Sequence, residues 1–420
     1  MGLLKLLEMN VTRREFFRGA GRLGLAVGGV CAALSSPAWL RTLGRGARDL
    51  YAATRLDELA RLSPVARYWI STETEGDHCS ACHVSEVAND PAHRHVEAHV
   101  KCLLCAQDCM LRAGERGRCR ARMNVGGEMR SLVYGRPITI HVDPIEKKPF
   151  YHFLPGSAAY SLATSGCPLH CRFCQNWEIS QIAPEDYEAR YTAPEAIAAS
   201  AVERRAPVIA FTYNEPTVFT EYLLDIAAAA RGRGVKCVLV TCGFMNEQPL
   251  ADMCAALDAI KVDLKGFSPD FYRKVCSAEL QPVLRSIRQI ARSGTHLELV
   301  NLVVPTLNDS EAMLSDLCDW VAGELGTDVP VHFTRFHPEY QLLNLSPTPV
   351  AALERARSVA MSKGLHYAYV GNVPGHEGNH TYCPGCGKIV IQRSGFLIGE
   401  VHIAHGSCEF CGTKIAGVWS

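Results

Sequence analysis

The chain has 420 residues, and its 43 Lys and Arg balance 43 Asp and Glu, so no bulk charge marks it for nucleic acid. A hydrophobic share of 48% is that of a globular protein with room for two or three domains. Its 19 cysteines fall largely into closely spaced groups, a pattern of metal ligation rather than of a disulfide framework.

Residues 1–40 read as a targeting segment. Thr12-Arg13-Arg14-Glu15-Phe16-Phe17-Arg18 is a twin-arginine motif, followed by an apolar, glycine-rich run from Leu23 to Leu34. Ser36-Pro37-Ala38 offers small residues for cleavage. The run is too short and too rich in glycine for a membrane-spanning helix. The expectation is export of the folded, cofactor-loaded protein to the periplasm or the outer face of the cytoplasmic membrane, with a cytoplasmic location as the alternative.

Residues 41–130 form a helical and then cysteine-rich region. A polar helical spacer is expected over 41–75. Cys79-Ser-Ala-Cys82-His83 matches covalent c-type haem attachment, with His93, His95 and His99 as axial candidates. A metal knuckle is the competing reading, since twin-arginine export delivers folded protein whereas haem attachment needs an accessible segment. Cys102-x2-Cys105-x3-Cys109-x9-Cys119 is a fuller set that can close a zinc or an iron–sulfur site, or two local disulfides. Gly114 and Gly117 let this stretch turn back on itself.

From residue 131 to 375 strands and helices alternate. Leu132–Tyr134 and Ile138–Val142 read as a strand pair around Gly135-Arg-Pro137. Strands are then expected at Ala158–Thr164, Val208–Thr212, Val235–Thr241, Ala259–Leu264, His296–Val304, Val331–Phe336 and Leu365–Val370. Helices are expected at Pro194–Arg205, Pro216–Arg233, Pro249–Leu257, Pro282–Ser293, Ser310–Leu325 and Pro349–Lys363. This is an α/β pattern of parallel βα units, better suited to a partial (β/α) barrel than to a flat doubly wound sheet. Polar residues cluster at or near the C-terminal strand ends: Tyr213-Asn-Glu-Pro216, Thr241-Cys-Gly-Phe244, Asp263-Leu-Lys265, Pro305–Asp309, and His332, Arg335 and His337.

Residues 376–420 form a separate unit. Cys383-Pro-Gly-Cys386-Gly and Cys408-Glu-Phe-Cys411-Gly are two knuckles of a zinc-ribbon or rubredoxin-like site for one Zn or Fe.

The central motif is Cys167-Pro-Leu-His-Cys171-Arg-Phe-Cys174-Gln-Asn176. Three thiolates hold three irons of a [4Fe–4S] cube and leave the fourth open, where four cysteines would close the cluster for plain electron transfer. The motif resembles the cluster loop of radical S-adenosylmethionine (SAM) enzymes. Over roughly residues 100–420 the chain is similar to the radical SAM enzymes of the AmmeMemoRadiSam system, relatives of pyruvate formate-lyase activating enzymes. The matching pieces are 102–124, 143–156, 166–181, 213–216, 263–265, 305–309, 332–338 and the terminal ribbon.

That resemblance implies a partial TIM-type barrel, cluster ligation by Cys167, Cys171 and Cys174, and reductive cleavage of SAM to a 5′-deoxyadenosyl radical. It implies that Phe173 and Gln175 flank SAM, that Glu215 meets its methionine amino group, and that Asp263, Lys265 and His332 lie near it. Its partners would be a low-potential electron donor and a protein substrate or Memo-type proteins. Cys242 departs from the family, where Asn is commoner. SAM and strong reductants are cytoplasmic supplies, which sets this reading against export. A multi-centre iron–sulfur or haem electron-transfer protein is the other functional reading.

Overall fold

A computed structural model describes residues 55–71 and 99–420. The twin-arginine segment, Cys79-Cys82-His83, His93 and His95 lie outside the described residues; His99, the remaining haem candidate, is half-buried just before β2.

Before the main sheet come two small antiparallel units. β1 (Trp69–Ser71), β2 (Val100–Cys102) and β3 (Met110–Leu111) form one of them. Of the expected helical spacer, the described part is helical over 55–62 and then turns extended into β1. β4 (Arg122–Val125) and β5 (Glu128–Ser131) form a hairpin closed by Gly126 and Gly127, at φ 61° and 91°. Two consecutive positive φ values suit the right-handed twist of a hairpin and favour glycine at both positions.

The main sheet has eight strands: β6 (Thr139–Pro144), β7 (Ala158–Ala163), β8 (Val208–Phe211), β9 (Lys236–Thr241), β10 (Ala259–Asp263), β11 (His296–Val303), β12 (Val331–Arg335) and β13 (Ala368–Gly371). They lie side by side in chain order; β7 to β13 are parallel and β6 runs antiparallel along β7. A doubly wound sheet would reverse its order at a switch point; this one does not. The helices that alternate with its strands include α1 (Trp177–Ser180), α2 (Pro194–Glu203), α3 (Thr220–Arg231), α4 (Glu247–Ala256), α5 (Leu280–Ser293), α6 (Glu311–Glu324) and α7 (Val350–Ser362). Local chemistry sets their ends. Pro194 opens α2, the Ser310 hydroxyl accepts the Met313 amide at 3.3 Å to cap α6, and Gly294 ends α5 at φ 81°.

Strand alternation sorts the side chains. Leu162, Phe211, Leu239, Val262, Leu299 and Phe333 join the helices in the largest core. The opposite parity, including Ala159, Ala210 and Val238, is covered by Ile145, Phe150 and Phe153 and by Val418. The expected pair of Leu132–Tyr134 with Ile138–Val142 does not form. Residues 132–134 continue a turn after β5, and β6 finds its partner in β7, pairing Thr139 with Ala163 and Pro144 with Ala158. Beside β7 it pairs six residues, twice what the three residues 132–134 could offer.

The ribbon carries β14 (Thr381–Tyr382), β15 (Ile389–Ser394), β16 (Leu397–Val401), β17 (Ile403–Ala404) and β18 (Ser407–Cys408). It joins the inner face of the sheet through Tyr151, Tyr367 and Tyr369. The fully buried Arg393 donates to Tyr151 O at 2.7 Å and to Thr381 Oγ1 at 2.7 Å, and its guanidinium lies 4.1 Å from the Tyr151 ring centre.

Candidate active site and metal centres

β7 ends in Thr164-Ser165-Gly166 and delivers the three-cysteine loop. Gly166 sits at φ 93°, and a Cβ there would come within 2.3 Å of the Cys119 carbonyl oxygen. The loop is fastened from several segments. The Asn176 amide donates to Tyr213 O at 2.6 Å, and the Asn214 amide to Gly166 O at 2.8 Å. Gln181 donates to Leu169 O at 3.1 Å and Gln107 to Pro168 O at 3.0 Å. The backbone amides of His170 and Arg172 donate to Cys276 O and Val275 O at 3.1 and 2.9 Å. Such bracing fixes a ligand loop before any ligand arrives.

Cys171 is buried, and Cys167 and Cys174 are partly so. All three are free thiols. Burial pushes Cys167 well up, with Glu215 adding to it, and Cys174 up to about 11. Cys171 is held below the ordinary thiol value by a hydrogen bond from the Cys276 thiol, with burial opposing and Lys265 assisting. Cys276 ends a π-helical turn, Tyr272–Cys276, a local irregularity frequent at functional sites. Sequence reasoning assigned Cys276 no role; a lone cysteine carries no positional signal of such a contact.

Phe173 is buried and stacks on Phe271, ring centres 6.3 Å apart, while Gln175 is exposed. Glu215, at the head of the turn after β8, is 3% exposed. Its Oε1 accepts from Thr217 N and Oγ1 and from Thr241 Oγ1, and its Oε2 from Cys242 N at 2.7 Å. Glu215 thus ties the β8 and β9 turns together. Cys242 enters that contact through its backbone, which any residue supplies.

Asp263 ends β10 partly exposed, bonded to Lys261 and 3.5 Å from Lys265 Nζ. Burial works against its charge, but the two ammonium groups hold its carboxyl below the usual range. Lys265 is likewise opposed by burial and held protonated, well above its ordinary value, by Asp263 and then Cys171. Asn308, in the Pro305–Asp309 turn, donates to Lys265 O at 2.7 Å and Leu302 O at 2.8 Å, so it braces the Asp263–Lys265 turn from beneath.

His332 departs from expectation. It is the second residue of β12, 1% exposed, and not at the mouth end of the strand. Its Nε2 is 2.7 Å from Glu298 Oε2, and its ring stacks on Tyr369 at 5.0 Å. Glu298 also accepts the amides of Tyr151 and His152, at 3.0 and 2.8 Å, and contacts His296 Nε2 at 3.1 Å. Arg335 turns its Nε to Thr348 O at 2.8 Å, and His337 is exposed. A second group missed in the sequence is Asp143, which pairs with Lys147 and Lys148 at 2.7 and 2.6 Å and accepts from the Tyr213 hydroxyl at 2.5 Å. A charged residue inside an apolar strand, as Glu298 is, was the available signal.

Cys383, Cys386, Cys408 and Cys411 bring their sulfurs within 4.8 Å of one another, close enough for one ion. Gly387 and Gly412 follow the knuckles at φ 71° and 78°, and their amides return to Cys383 O and Cys408 O at 2.9 and 2.8 Å. Cys102, Cys105, Cys109 and Cys119 line a common cavity as free thiols, which removes the disulfide reading.

Residues 161–318 match the Radical SAM superfamily, a span that contains all three loop cysteines, Glu215, Asp263 and Lys265. The chain is 42% identical over 318 residues to the uncharacterized protein MJ0808 of Methanocaldococcus jannaschii, covering 75% of this chain and 95% of that one. It is 22% identical to the pyruvate formate-lyase-activating enzyme of Streptococcus mutans over 37% of this chain and 63% of that one. A (2S)-3-sulfopropanediol dehydratase activating enzyme of Klebsiella oxytoca is 20% identical over 30% of this chain and 39% of its own. The α/β domain with its mostly parallel sheet, the three-cysteine loop at the end of β7 and the match over that span agree: this chain is an enzyme of the radical SAM superfamily, whose members cleave SAM with an iron–sulfur cluster, and it belongs to one family with MJ0808.

Proposed function

We propose that this chain is an activating-enzyme-like radical SAM enzyme that takes a hydrogen atom from a protein or peptide, built as a partial (β/α) barrel of the AmmeMemoRadiSam type. The observation that carries the reading is the braced loop of Cys167, Cys171 and Cys174, with three thiol donors and no fourth cysteine in the loop. When bound, a [4Fe–4S] cluster with one open iron supplies the electron that cleaves SAM. The donor set fits it, because three thiols are gathered on one braced loop and the Lys265 ammonium, 5.8 Å from the ring centre of Phe173 in that loop, offsets negative charge there.

The residues divide the remaining work. Glu215 orients the turns after β8 and β9, its carboxylate already engaged by Thr217, Thr241 and Cys242. Asp263 and Lys265, the partly open pair, meet the polar end of SAM. His332 acts from a distance, by fixing the inner face of the sheet through Glu298. The protein-substrate reading draws on the two relatives named as activating enzymes. The ribbon holds a structural Zn or Fe.

Anaerobic reconstitution with dithionite and SAM is expected to give 5′-deoxyadenosine, and Cys171→Ala to abolish it. Undiminished product from that variant would overturn the proposal. The substrate class is read by deuterium: labelled cell protein and labelled metabolites are offered separately, and label reaching 5′-deoxyadenosine only from metabolites removes the protein-substrate half.

A further inference from the structure

Four cysteines outside the radical loop share one cavity. Cys102, Cys105, Cys109 and Cys119 line it together with Gly117, Arg122, Pro168, Thr217 and Val218. Their spacing alone allowed zinc as well as an iron–sulfur group.

One observation separates those options, and a second supports an anionic, thiolate-ligated occupant of either kind. The first is how the sulfurs are gathered. Among the described residues, the ribbon quartet is the one group drawn together tightly enough for a single ion, with every sulfur within 4.8 Å. The four N-terminal sulfurs surround a cavity instead. A single tetrahedral ion pulls all its ligands onto one centre, whereas a cluster gives its cysteines separate irons and holds them apart. Gly117 forms part of the wall: a Cβ there would stand 3.6 Å from Cys119 Sγ and 3.8 Å from Cys109 Sγ, so a longer side chain would intrude between them. The Arg118 amide reaches Cys109 Sγ at 3.5 Å, a contact that stabilises a sulfur carrying charge.

The second observation is Arg122. Its side chain is 1% exposed, and among the described residues its Nε and Nη1 have no hydrogen-bond partner. Only Nη2 is engaged, by Arg67 O and by Glu221 at 3.1 Å. A buried guanidinium with two unmet donors is costly. Lining the cavity beside the four cysteines, with Glu221 meeting one nitrogen alone, it suits a thiolate-ligated, anionic occupant.

We propose that Cys102, Cys105, Cys109 and Cys119 hold a second iron–sulfur cluster, seated against the radical loop. Contact with that loop is direct. Pro168, the residue after Cys167, lines the cavity; Gln107 bonds its carbonyl at 3.0 Å; and the Cys119 carbonyl lies against Gly166. The proposal concerns a different site from the radical cluster and does not rest on SAM cleavage.

The test uses the full chain, reconstituted anaerobically, carrying Cys167→Ala, Cys171→Ala and Cys174→Ala together. It is expected to keep acid-labile sulfide matched by iron, with an iron–sulfur EPR signal on reduction that SAM does not alter. Adding Cys105→Ser and Cys119→Ser should bring the sulfide to background. Zinc in place of iron, or iron with no labile sulfide, overturns the proposal, since a ribbon metal carries no sulfide. In case the triple variant does not fold, Cys105→Ser/Cys119→Ser alone on an intact radical loop should lower sulfide per chain by about half if both clusters are of one type; unchanged sulfide overturns the proposal. Failure of the radical reading would show separately, as absent 5′-deoxyadenosine with this sulfide intact.

Discussion

Glu298 and His332 meet at 2.7 Å in the middle of the sheet, and Glu298 is wholly buried. Burial alone would raise its carboxyl, but hydrogen bonds from His296 and His332 hold it well below the ordinary range. Its oxygens also receive two backbone amides from the segment that covers the inner face of the sheet. Glu298→Ala leaves those donors unmet, and a loss of about 3 kcal/mol or more is expected, at about 1–3 kcal/mol for each buried donor left without a partner. Urea unfolding measures it; a loss below about 1 kcal/mol would show that water replaces the carboxylate without penalty.

His152 gives the fold an acid limit. Its Nδ1 faces Ala416 O at 2.5 Å and its Nε2 faces the Tyr369 hydroxyl at 2.5 Å, which fits a neutral ring donating from Nδ1 and accepting at Nε2. Burial pushes it down to about 3 from the ordinary 6.5. In the window between those values the unfolded chain binds the proton and the folded chain does not, so this contribution is complete above pH 6.5 and falls with pH. The expected slope is about 1.4 kcal/mol per pH unit from this one group. Unfolding free energies of wild type and His152→Gln should differ in slope by that amount between pH 6 and 5, and run parallel above pH 7.5. Curves parallel throughout would assign the acid sensitivity elsewhere.

Gly166→Ala tests the junction of the two cysteine regions. The residue needs φ 93°, and its Cβ would meet the Cys119 carbonyl at 2.3 Å. A cost of about 2 kcal/mol or more is expected, together with lower iron incorporation, because the loop must shift to accept the methyl group. Wild-type thermal stability and iron content in this variant would refute the tight junction.

The ribbon metal is expected to be independent of SAM cleavage. Cys383→Ala with Cys386→Ala should remove one metal per chain and leave 5′-deoxyadenosine formation in place, measured by elemental analysis and by product assay. Retention of the full metal complement would mean that the quartet is not a site.

Export is our proposal from Arg13 and Arg14, in residues outside those described. Arg13→Lys with Arg14→Lys should keep the protein in the cytoplasm, as fractionation would show. An unchanged distribution would remove the twin-arginine reading.

The parallel units were legible because each strand is a short apolar run bounded by turn residues and each helix has a start or stop signal. β8 at Val208–Phe211 and β10 at Ala259–Asp263 fall within a residue of expectation. The cysteine groups were legible from spacing. What stayed hidden depended on distant partners. The apolar run at 138–142 pairs with β7 rather than its neighbour, a choice the central sheet decides. His332 was placed near SAM by the family resemblance, and the strand register and its contact with buried Glu298 set it deep in the sheet. Cys276 meets Cys171 because a π-helical turn carries it there, and no period in the sequence announces that turn.

The contact between the segment after β6 and the far end of the ribbon also orders events in time. Val418 N bonds His152 O at 2.7 Å and Leu154 N bonds Val418 O at 2.8 Å, while His152 and Ala416 are 264 positions apart. A ribosome that has made every strand of the central sheet has still not produced the residues that seal its inner face. Until they emerge, Phe153 lacks part of its cover. A chain cut before Val418 therefore loses this contact on the Phe153 side of the sheet, however complete its eight strands are.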